Sequence, residues 1–271
     1  MDSKLPNDLK IEILSRTSLK DLDSMRCTSK AYNALTYDSH LVQKHKQRNN
    51  IISGVLIQHV SDSDSPIKEF VPSHKSDSLD LGFLPKDATI LSSSDQGIIV
   101  FSREKIFPYR YYVCKPTTKQ NLQLPQLMNY GHIQTKLVAI VVIGSKRLQY
   151  KIARFFQYKN MSFNATTYYC DIFDSRPFIW TKHKVLNLSS RMLSSDPLIT
   201  SGGSVYCLMS NSDIFKFDAY SEKWSKLSSP YPMYNTSRAY TSKKLLKYEG
   251  KLGLACKKTT GFWEIWIHTI D

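Results

Sequence analysis

This 271-residue sequence has few glycines and no long apolar run. No stretch approaches eighteen consecutive apolar residues, and the N-terminus lacks the basic-then-apolar layout of a secretory signal. We therefore expect an intracellular protein, in the nucleus, the cytoplasm or both, with no membrane partner. Because there are only ten glycines, a glycine-rich phosphate-binding loop is excluded as the basis of nucleotide binding.

Paired cysteines are also absent. The five cysteines are widely spaced, form no C-x-x-C pair, and in four cases lie within apolar, strand-like runs; they are Cys27, Cys114, Cys170, Cys207 and Cys256. This pattern predicts buried free thiols in a reducing compartment, with neither disulfides nor a structural metal.

The usual signatures of catalysis are missing as well. The seven histidines never reach a metal-ligand spacing such as H-x-x-x-H, and the chain contains no G-x-S-x-G nucleophile motif. The sequence therefore predicts no catalytic residue, no metal site and no cofactor. We interpret the chain as a non-enzymatic binding protein.

Acidic residues are scarce relative to basic ones, which gives a net charge of +14. The excess is spread along the chain, and its densest patch comprises Lys243, Lys244, Lys247, Lys257 and Lys258. A basic surface could attract nucleic acid or an acidic protein. Since no recognition helix, RNA-binding aromatic signature or zinc spacing accompanies the patch, a solvated basic face is the preferred interpretation and nucleic-acid binding the alternative.

The first fifty residues show helical spacing. Pro6 stands before Asn7 and Asp8, which can cap a helix, and a helix is predicted from about Asp8 to Arg16. Its apolar residues form two stripes, one of Leu5, Leu9 and Ile13 and one of Ile11 and Leu14. The short helix therefore needs cover on two sides.

Three further short helices are predicted behind the first. Ser18, Ser29 and Asp38 are their candidate caps, and the apolar residues behind these caps are Leu19, Leu22, Met25, Ala31, Tyr32, Leu35, Leu41 and Val42. Four short helices bury only a marginal core. Apolar stripes exposed on so small a unit predict a partner surface.

From Ile51 onward, short apolar runs alternate with turn residues, and helical periodicity is absent. Ten runs read as strands: 53–60, 97–102, 111–114, 137–143, 150–156, 168–173, 205–209, 214–217, 251–256 and 263–267. The larger region is therefore predicted to be all-β.

A weak internal repeat favours one all-β architecture. A Phe-Asp pair ends the runs at Asp174 and Asp218, and a Trp follows six residues later in each case, at Trp180 and Trp224. A degenerate copy surrounds Lys115. Turns 59 and 44 residues apart fit the four-stranded blades of a β-propeller, with a β-sandwich as the alternative.

The N-terminal segment resembles an F-box, the motif that docks on the Skp-family adaptor of cullin-based ubiquitin ligases. The resemblance rests on Leu-Pro-x-Asp-Leu-x-x-Glu-Ile-Leu-x-Arg and the later Arg-Cys-x-Ser-Lys, and it extends from Leu5 to about His45. The sequence departs from the residues that are usual in this family at Thr17-Ser18, Tyr32 and Leu41. The adaptor-binding residues that the resemblance implies are Leu5, Pro6, Asp8, Leu9, Ile11, Glu12, Ile13, Leu14, Leu22, Met25 and Arg26.

Residues 52–271 resemble the F-box-associated, or kelch-like, propeller domain of plant proteins. The resemblance rests on the run from Cys114 to Gln120, on Leu124-Pro125 and on Glu264-Ile265-Trp266. It implies a substrate-recognition subunit of a Skp-cullin-F-box ligase, whose β domain captures an unknown target protein for ubiquitylation. The candidate target-binding residues are Phe107, Tyr109, Arg110, Tyr111, Tyr231 and Tyr234.

The predicted fold class is thus α+β and multidomain, with an all-α F-box module over residues 1–50 and an all-β domain over residues 51–271. Members of the resembled family continue for a further blade or more. We therefore expect an unpaired edge next to Trp263 to Ile267 and an incompletely closed propeller. A truncated, non-functional product is a further alternative.

Overall fold

The structure is a computed structural model. It describes residues 5–17, 19–26, 28–36, 38, 40–41, 44–45, 48, 54–60, 66–73, 79–103, 110–127, 133–144, 148–158, 166–193, 198–228, 240–248 and 251–268. The chain forms two compact units, one of residues 1–60 with 67–82 and one of residues 61–66 with 83–271. The domain boundary near residue 50 stays a prediction.

The first unit begins with three short helices, α1 (Asn7–Leu14), α2 (Leu19–Arg26) and α3 (Lys30–Thr36). Further helical residues lie at 40–41, 44–45 and 48. The buried core of the helices comprises Ile11, Leu14, Leu22 and Leu41, with Met25, Tyr32 and Leu35 packed against it. The helical module predicted from the apolar spacing is therefore present.

The helix caps follow the sequence in two of three testable cases. Ser29 Oγ accepts a hydrogen bond from the backbone N–H of Tyr32 at 3.1 Å, and Asp38 Oδ1 accepts one from His40 N–H at 2.9 Å. The cap predicted for α1 at Asn7 or Asp8 is wrong, because Pro6 occupies the N-cap position and no side chain caps the helix. Ser18 lies outside the described residues.

A two-stranded sheet of β1 (Gly54–Val60) and β2 (Pro66–Pro72) completes what is described of the first unit. The second unit contains four antiparallel sheets in which the strands pair in chain order. Their strands are β3 (Ala88–Ser93), β4 (Ile99–Arg103), β5 (Arg110–Lys115), β6 (Gln120–Gln123), β7 (Ile133–Gly144), β8 (Gln149–Tyr158), β9 (Thr167–Asp174), β10 (Ile179–Asn187), β11 (Ile199–Ser201), β12 (Ser204–Leu208), β13 (Ile214–Asp218), β14 (Lys223–Leu227), β15 (Tyr240–Tyr248), β16 (Lys251–Lys258) and β17 (Trp263–His268).

Successive sheets contact one another mainly through their first strands. β3 packs against β7, β7 against β11 and β12, and β11 against β15. An ion pair between Lys247 on β15 and Asp95 after β3 joins the fourth sheet to the first. Meander sheets whose first strands face one another define a β-propeller, so the propeller prediction is confirmed over the β-sandwich.

The internal repeat corresponds to the hairpin between the third and fourth strands of a sheet. Phe173 lies directly opposite Trp180, and Phe217 lies directly opposite Trp224. The residue before each fourth strand has a positive φ, at Lys119 (54°), Phe178 (57°) and Glu222 (53°). The same turn geometry therefore recurs in three sheets, including the degenerate copy at Lys115.

All ten predicted strands are present, and the described residues form seven more, of which β10 and β14 carry the two tryptophans of the repeat. β6 and β14 are largely exposed on both faces, and β15 carries four polar residues in a row after Tyr240. Such strands lack the period-2 alternation of a half-buried strand. Only their hydrogen-bonded neighbours identify them.

The apolar core lies between the sheets. One cluster joins the first and second sheets through residues such as Val113 and Ile152, and a second joins the second and third through Phe155 and Phe215. A third cluster, which includes Leu254, joins the third and fourth sheets. Cys114, Cys170, Cys207 and Cys256 are free and buried, as predicted, and burial raises the pKa of Cys114 to about 12. Cys27 lies outside the described residues.

One ion pair is buried within this core. Arg154 on β8 donates through Nη1 to Asp171 Oδ2 on β9 at 3.2 Å, and the two side chains are only 2% and 1% exposed. Arg154 also donates through Nε to Thr135 Oγ1 at 3.0 Å, and its guanidinium lies 4.8 Å from the ring centroid of Phe156. The charge is therefore fully enclosed by partners.

Replacing Asp171 by alanine is expected to lower the free energy of unfolding by about 3–5 kcal/mol, because it leaves the Arg154 guanidinium buried without its counter-charge. Chemical denaturation of the full chain measures the change. The double variant Arg154→Met/Asp171→Leu removes both charges and should recover most of the loss. An unaltered denaturation midpoint for Asp171→Ala would contradict this account of the ion pair.

Candidate functional site

Helix α1 carries a row of exposed apolar side chains. Leu5, Leu9 and Ile13 are 43%, 52% and 52% exposed. Leu9 and Ile13 are four residues apart and lie on the same side of α1, and Leu5 directly precedes the N-cap residue Pro6; we name these three residues the α1 stripe. Exposed apolar surface of this kind on a small helical unit is typical of a protein-binding site.

The other apolar residues of α1 point into the module. Ile11 and Leu14 are buried together with Leu22, and Met25 packs against them. These four side chains already have intramolecular partners. Their predicted adaptor-binding roles stay predictions. Among the described side chains of residues 5–48, the large apolar ones that are exposed are those of the α1 stripe.

Glu12 lies on α1 and binds three cationic side chains. Its Oε1 lies 2.8 Å from Arg16 Nη2 and 2.7 Å from Arg48 Nη2, and its Oε2 lies 2.7 Å from Lys44 Nζ. Hydrogen bonds from Lys44, Arg16 and Arg48, in that order of strength, lower the pKa of Glu12 from about 4.5 to about 2. In the structure Glu12 joins α1 to the last helical residues of the module.

Two more contacts hold the end of α1 to the same segment. The buried His45 places Nε2 2.9 Å from the carbonyl oxygen of Thr17, and Arg48 donates through Nη1 to Ser15 Oγ. Sequence reasoning assigned no role to Lys44 or Arg48. The sequence signal for these contacts was the basic run of residues 44–48, in which Lys44 and Arg48 are about one helical turn apart.

The remaining predicted adaptor-binding residues have simpler positions. Pro6 is exposed at the N-cap position of α1, and Asp8 is exposed in its first turn. A negative charge there interacts favourably with the helix dipole. The side chain of Arg26 lies outside what the structure describes.

The predicted target-binding residues differ in their exposure, and four of them are not described. Tyr111 is 5% exposed, contacts Trp180 with ring centroids 5.9 Å apart, and has its hydroxyl 3.2 Å from Thr135 Oγ1. The target-binding role predicted for Tyr111 is therefore wrong, because the ring packs between the first and second sheets. Arg110 is exposed at the start of β5. Phe107, Tyr109, Tyr231 and Tyr234 lie outside the described residues.

The densest basic patch is partly neutralised. Lys247 forms an ion pair with Asp95, Lys258 forms one with Glu264, and Lys243 donates to Ser212 Oγ at 2.6 Å. Among the described residues, no group of three or more His, Cys, Asp or Glu side chains could hold a metal ion. No helix within the same residues is long and apolar enough to span a membrane.

The fold and the α1 stripe together define a protein with a small helical docking module and a β-propeller. Residues 3–44 match the F-box domain family, and residues 41–269 match the family described as F-box associated beta propeller domain. The second match covers most of the chain. The chain therefore belongs to the F-box proteins that carry an F-box-associated β-propeller domain.

Two plant relatives are similar to the chain. The F-box protein At5g41720 of Arabidopsis thaliana is 28% identical over 167 residues, which cover 57% of this chain and 87% of the relative. The putative F-box protein At5g50220 of Arabidopsis thaliana is 24% identical over 287 aligned residues, which cover 100% of this chain and 68% of the relative.

Among solved structures, an acylaminoacyl peptidase is similar over 83% of this chain and 40% of its own length, with 11% identity and a TM-score of 0.42. A HIRA fragment, residues 644–1017, is similar over 67% of this chain and 54% of its own length, with 12% identity and a TM-score of 0.37. This chain thus spans about half of these structures or less.

Acidification is expected to weaken the helical module through Glu12. Because the pKa of Glu12 is lowered in the folded chain, its ion pairs stabilise fully above about pH 4.5 and are lost as the pH falls towards 2. The denaturation midpoint of the full chain, followed by far-UV circular dichroism over this range, measures the loss. The variant Glu12→Gln has no titrating group at this position and should lose less stability over the same range; parallel curves for the two proteins would contradict the assignment.

Proposed function

We propose that the protein is the substrate-recognition subunit of a Skp-cullin-F-box ubiquitin ligase. The observation that carries the proposal is the α1 stripe, a row of exposed leucine and isoleucine side chains on the first helix of an F-box. Its partner is a Skp-family adaptor and, through the adaptor, a cullin. The proposal puts the protein inside the cell, in the nucleus, the cytoplasm or both.

The contacts of the helical module indicate that different residues of α1 have different roles. The buried stripe of Ile11 and Leu14 supplies the core, and Glu12 ties the helix to Lys44 and Arg48. These contacts fix the helix, so the α1 stripe meets a partner without a large ordering cost. Preorganised apolar residues at the centre of an interface contribute most of its binding energy.

The propeller supplies the target-binding half of the proposal. Exposed residues at the ends of its strands, such as Arg110 at the start of β5, can vary without changing the buried strands, as is typical of binding surfaces on rigid scaffolds. F-box and propeller domains are typical of non-catalytic adaptors. We assign the protein no reaction of its own, only the capture of a target for a ligase that it joins.

The double variant Leu9→Ala/Ile13→Ala is expected to weaken capture of a purified Skp-family adaptor by roughly thirtyfold or more, or about 2 kcal/mol, because it removes two exposed anchors. Titration calorimetry of the full chain measures the change.

Leu122→Ala is the matched control, because Leu122 on the outer strand β6 is 48% exposed, close to Leu9 at 52%. The control should bind the adaptor as the wild type does. Undiminished binding of the double variant would refute the proposed docking surface.

A further inference from the structure

The fourth sheet differs from the other three. They each have four strands, whereas the described residues of the fourth sheet form only β15, β16 and β17. β17 holds the third position, which β5, β9 and β13 hold in the other sheets. Those three strands are largely buried, but β17 alternates between exposed and half-buried residues along its length. Within the part of the chain that the structure describes, no strand pairs with the outer side of β17.

The pairing register shows which backbone groups this outer side presents. Lys258 N–H donates to the carbonyl of Phe262 at 2.8 Å, so these two residues form a hydrogen-bonded pair. Such pairs recur at every second residue of an antiparallel ladder, which makes Glu264 and Trp266 the next to face β16. The N–H and C=O groups of Trp263, Ile265 and Ile267 therefore point away from β16.

The same three residues present apolar side chains. Trp263, Ile265 and Ile267 are 50%, 59% and 45% exposed, whereas Trp266 packs on the opposite face against the cluster between the third and fourth sheets. An exposed apolar strand with free backbone groups is a template for pairing with another strand. We name Trp263, Ile265 and Ile267 the β17 edge.

The charge around the β17 edge is positive. Lys257 lies directly opposite Trp263 on its face, and Lys244 lies on the same face across the sheet; both are exposed. The one carboxylate of the three strands, Glu264, lies on the opposite face, where it binds Lys258 and accepts a hydrogen bond from Tyr240 Oη at 2.7 Å. Among the described residues of the three strands, no carboxylate on that face offsets these cations, so the face favours an acidic partner.

We propose that the β17 edge binds an extended segment of the target protein as a fourth strand, a segment with apolar residues at alternate positions and acidic residues at its ends. Strand addition of this kind takes affinity from backbone hydrogen bonds and specificity from alternate side chains. Lys257 and Lys251 flank the edge at its two ends and favour the acidic flanks. The inference rests on the proposed function and names the chemistry of its target.

A fluorescently labelled peptide, Glu-Glu-Val-Thr-Val-Thr-Val-Glu-Glu, serves as the probe with the full chain. We expect binding with a Kd on the order of 10 μM by fluorescence anisotropy. The peptide with lysine in place of glutamate should bind about tenfold more weakly at low salt, and added salt should reduce the difference. N-methylation of the valines removes the N–H groups that face β17 and should abolish binding.

Two variants test the edge within the protein. Ile265→Pro removes an outward N–H without removing a hydrogen bond to β16, and Ile265→Lys replaces the central apolar side chain of the edge by a charged one against which the valines of the peptide cannot pack. Each should weaken peptide binding about tenfold or more. Val185→Lys on the outer strand β10 is the matched control, because Val185 is 55% exposed, and it should bind as the wild type does.

Three results would overturn the proposal. The first is that the acidic peptide does not bind. This result is also expected if another part of this chain already pairs with β17. A second is equal binding by Ile265→Pro and the wild type. A third is a wild-type dimer in sedimentation that Ile265→Lys makes monomeric, because the edge then pairs with a second copy. Adaptor capture by the Ile265 variants should be unchanged, so failure of the edge and failure of the F-box assignment give different results.

Discussion

The structure depends on the requirement that each propeller sheet bury both faces against its neighbours. The second strands show it most clearly: β4, β8, β12 and β16 are nearly continuously buried, because each lies in the middle of a sheet with another sheet on either side. Burial on both faces favours continuous apolar runs over alternation. The apolar clusters each join two neighbouring sheets, so the sheets depend on one another for burial.

The same requirement explains where polar groups are tolerated. Arg154 lies inside the core only because Asp171, Thr135 and two aromatic rings surround its guanidinium. Outer strands such as β6 and β14 are, by contrast, largely exposed and carry many polar residues.

The two surfaces singled out for binding share a physical origin. On α1, one apolar stripe satisfies the module core, and the second stripe remains exposed because so few helices cannot cover both. At β17, the sheet core is completed on one face while the outer edge keeps its apolar residues and free backbone groups. In both places the described neighbours leave part of the apolar surface exposed. A partner that covers this surface gains binding energy.

The sequence by itself determined the helical module, the ten most apolar strands, the repeat that marks the propeller and the buried free cysteines, because each leaves a local pattern of spacing or hydropathy. It also predicted the two stripes of α1. Tertiary structure alone decided which stripe is exposed, because burial depends on the packing of α2 and on Leu41. It likewise decided that Tyr111 is a core residue, that Glu12 binds Lys44 and Arg48, and that β17 has a free side. These properties arise from residues distant in the chain, and a local pattern contains no information about which distant residues meet.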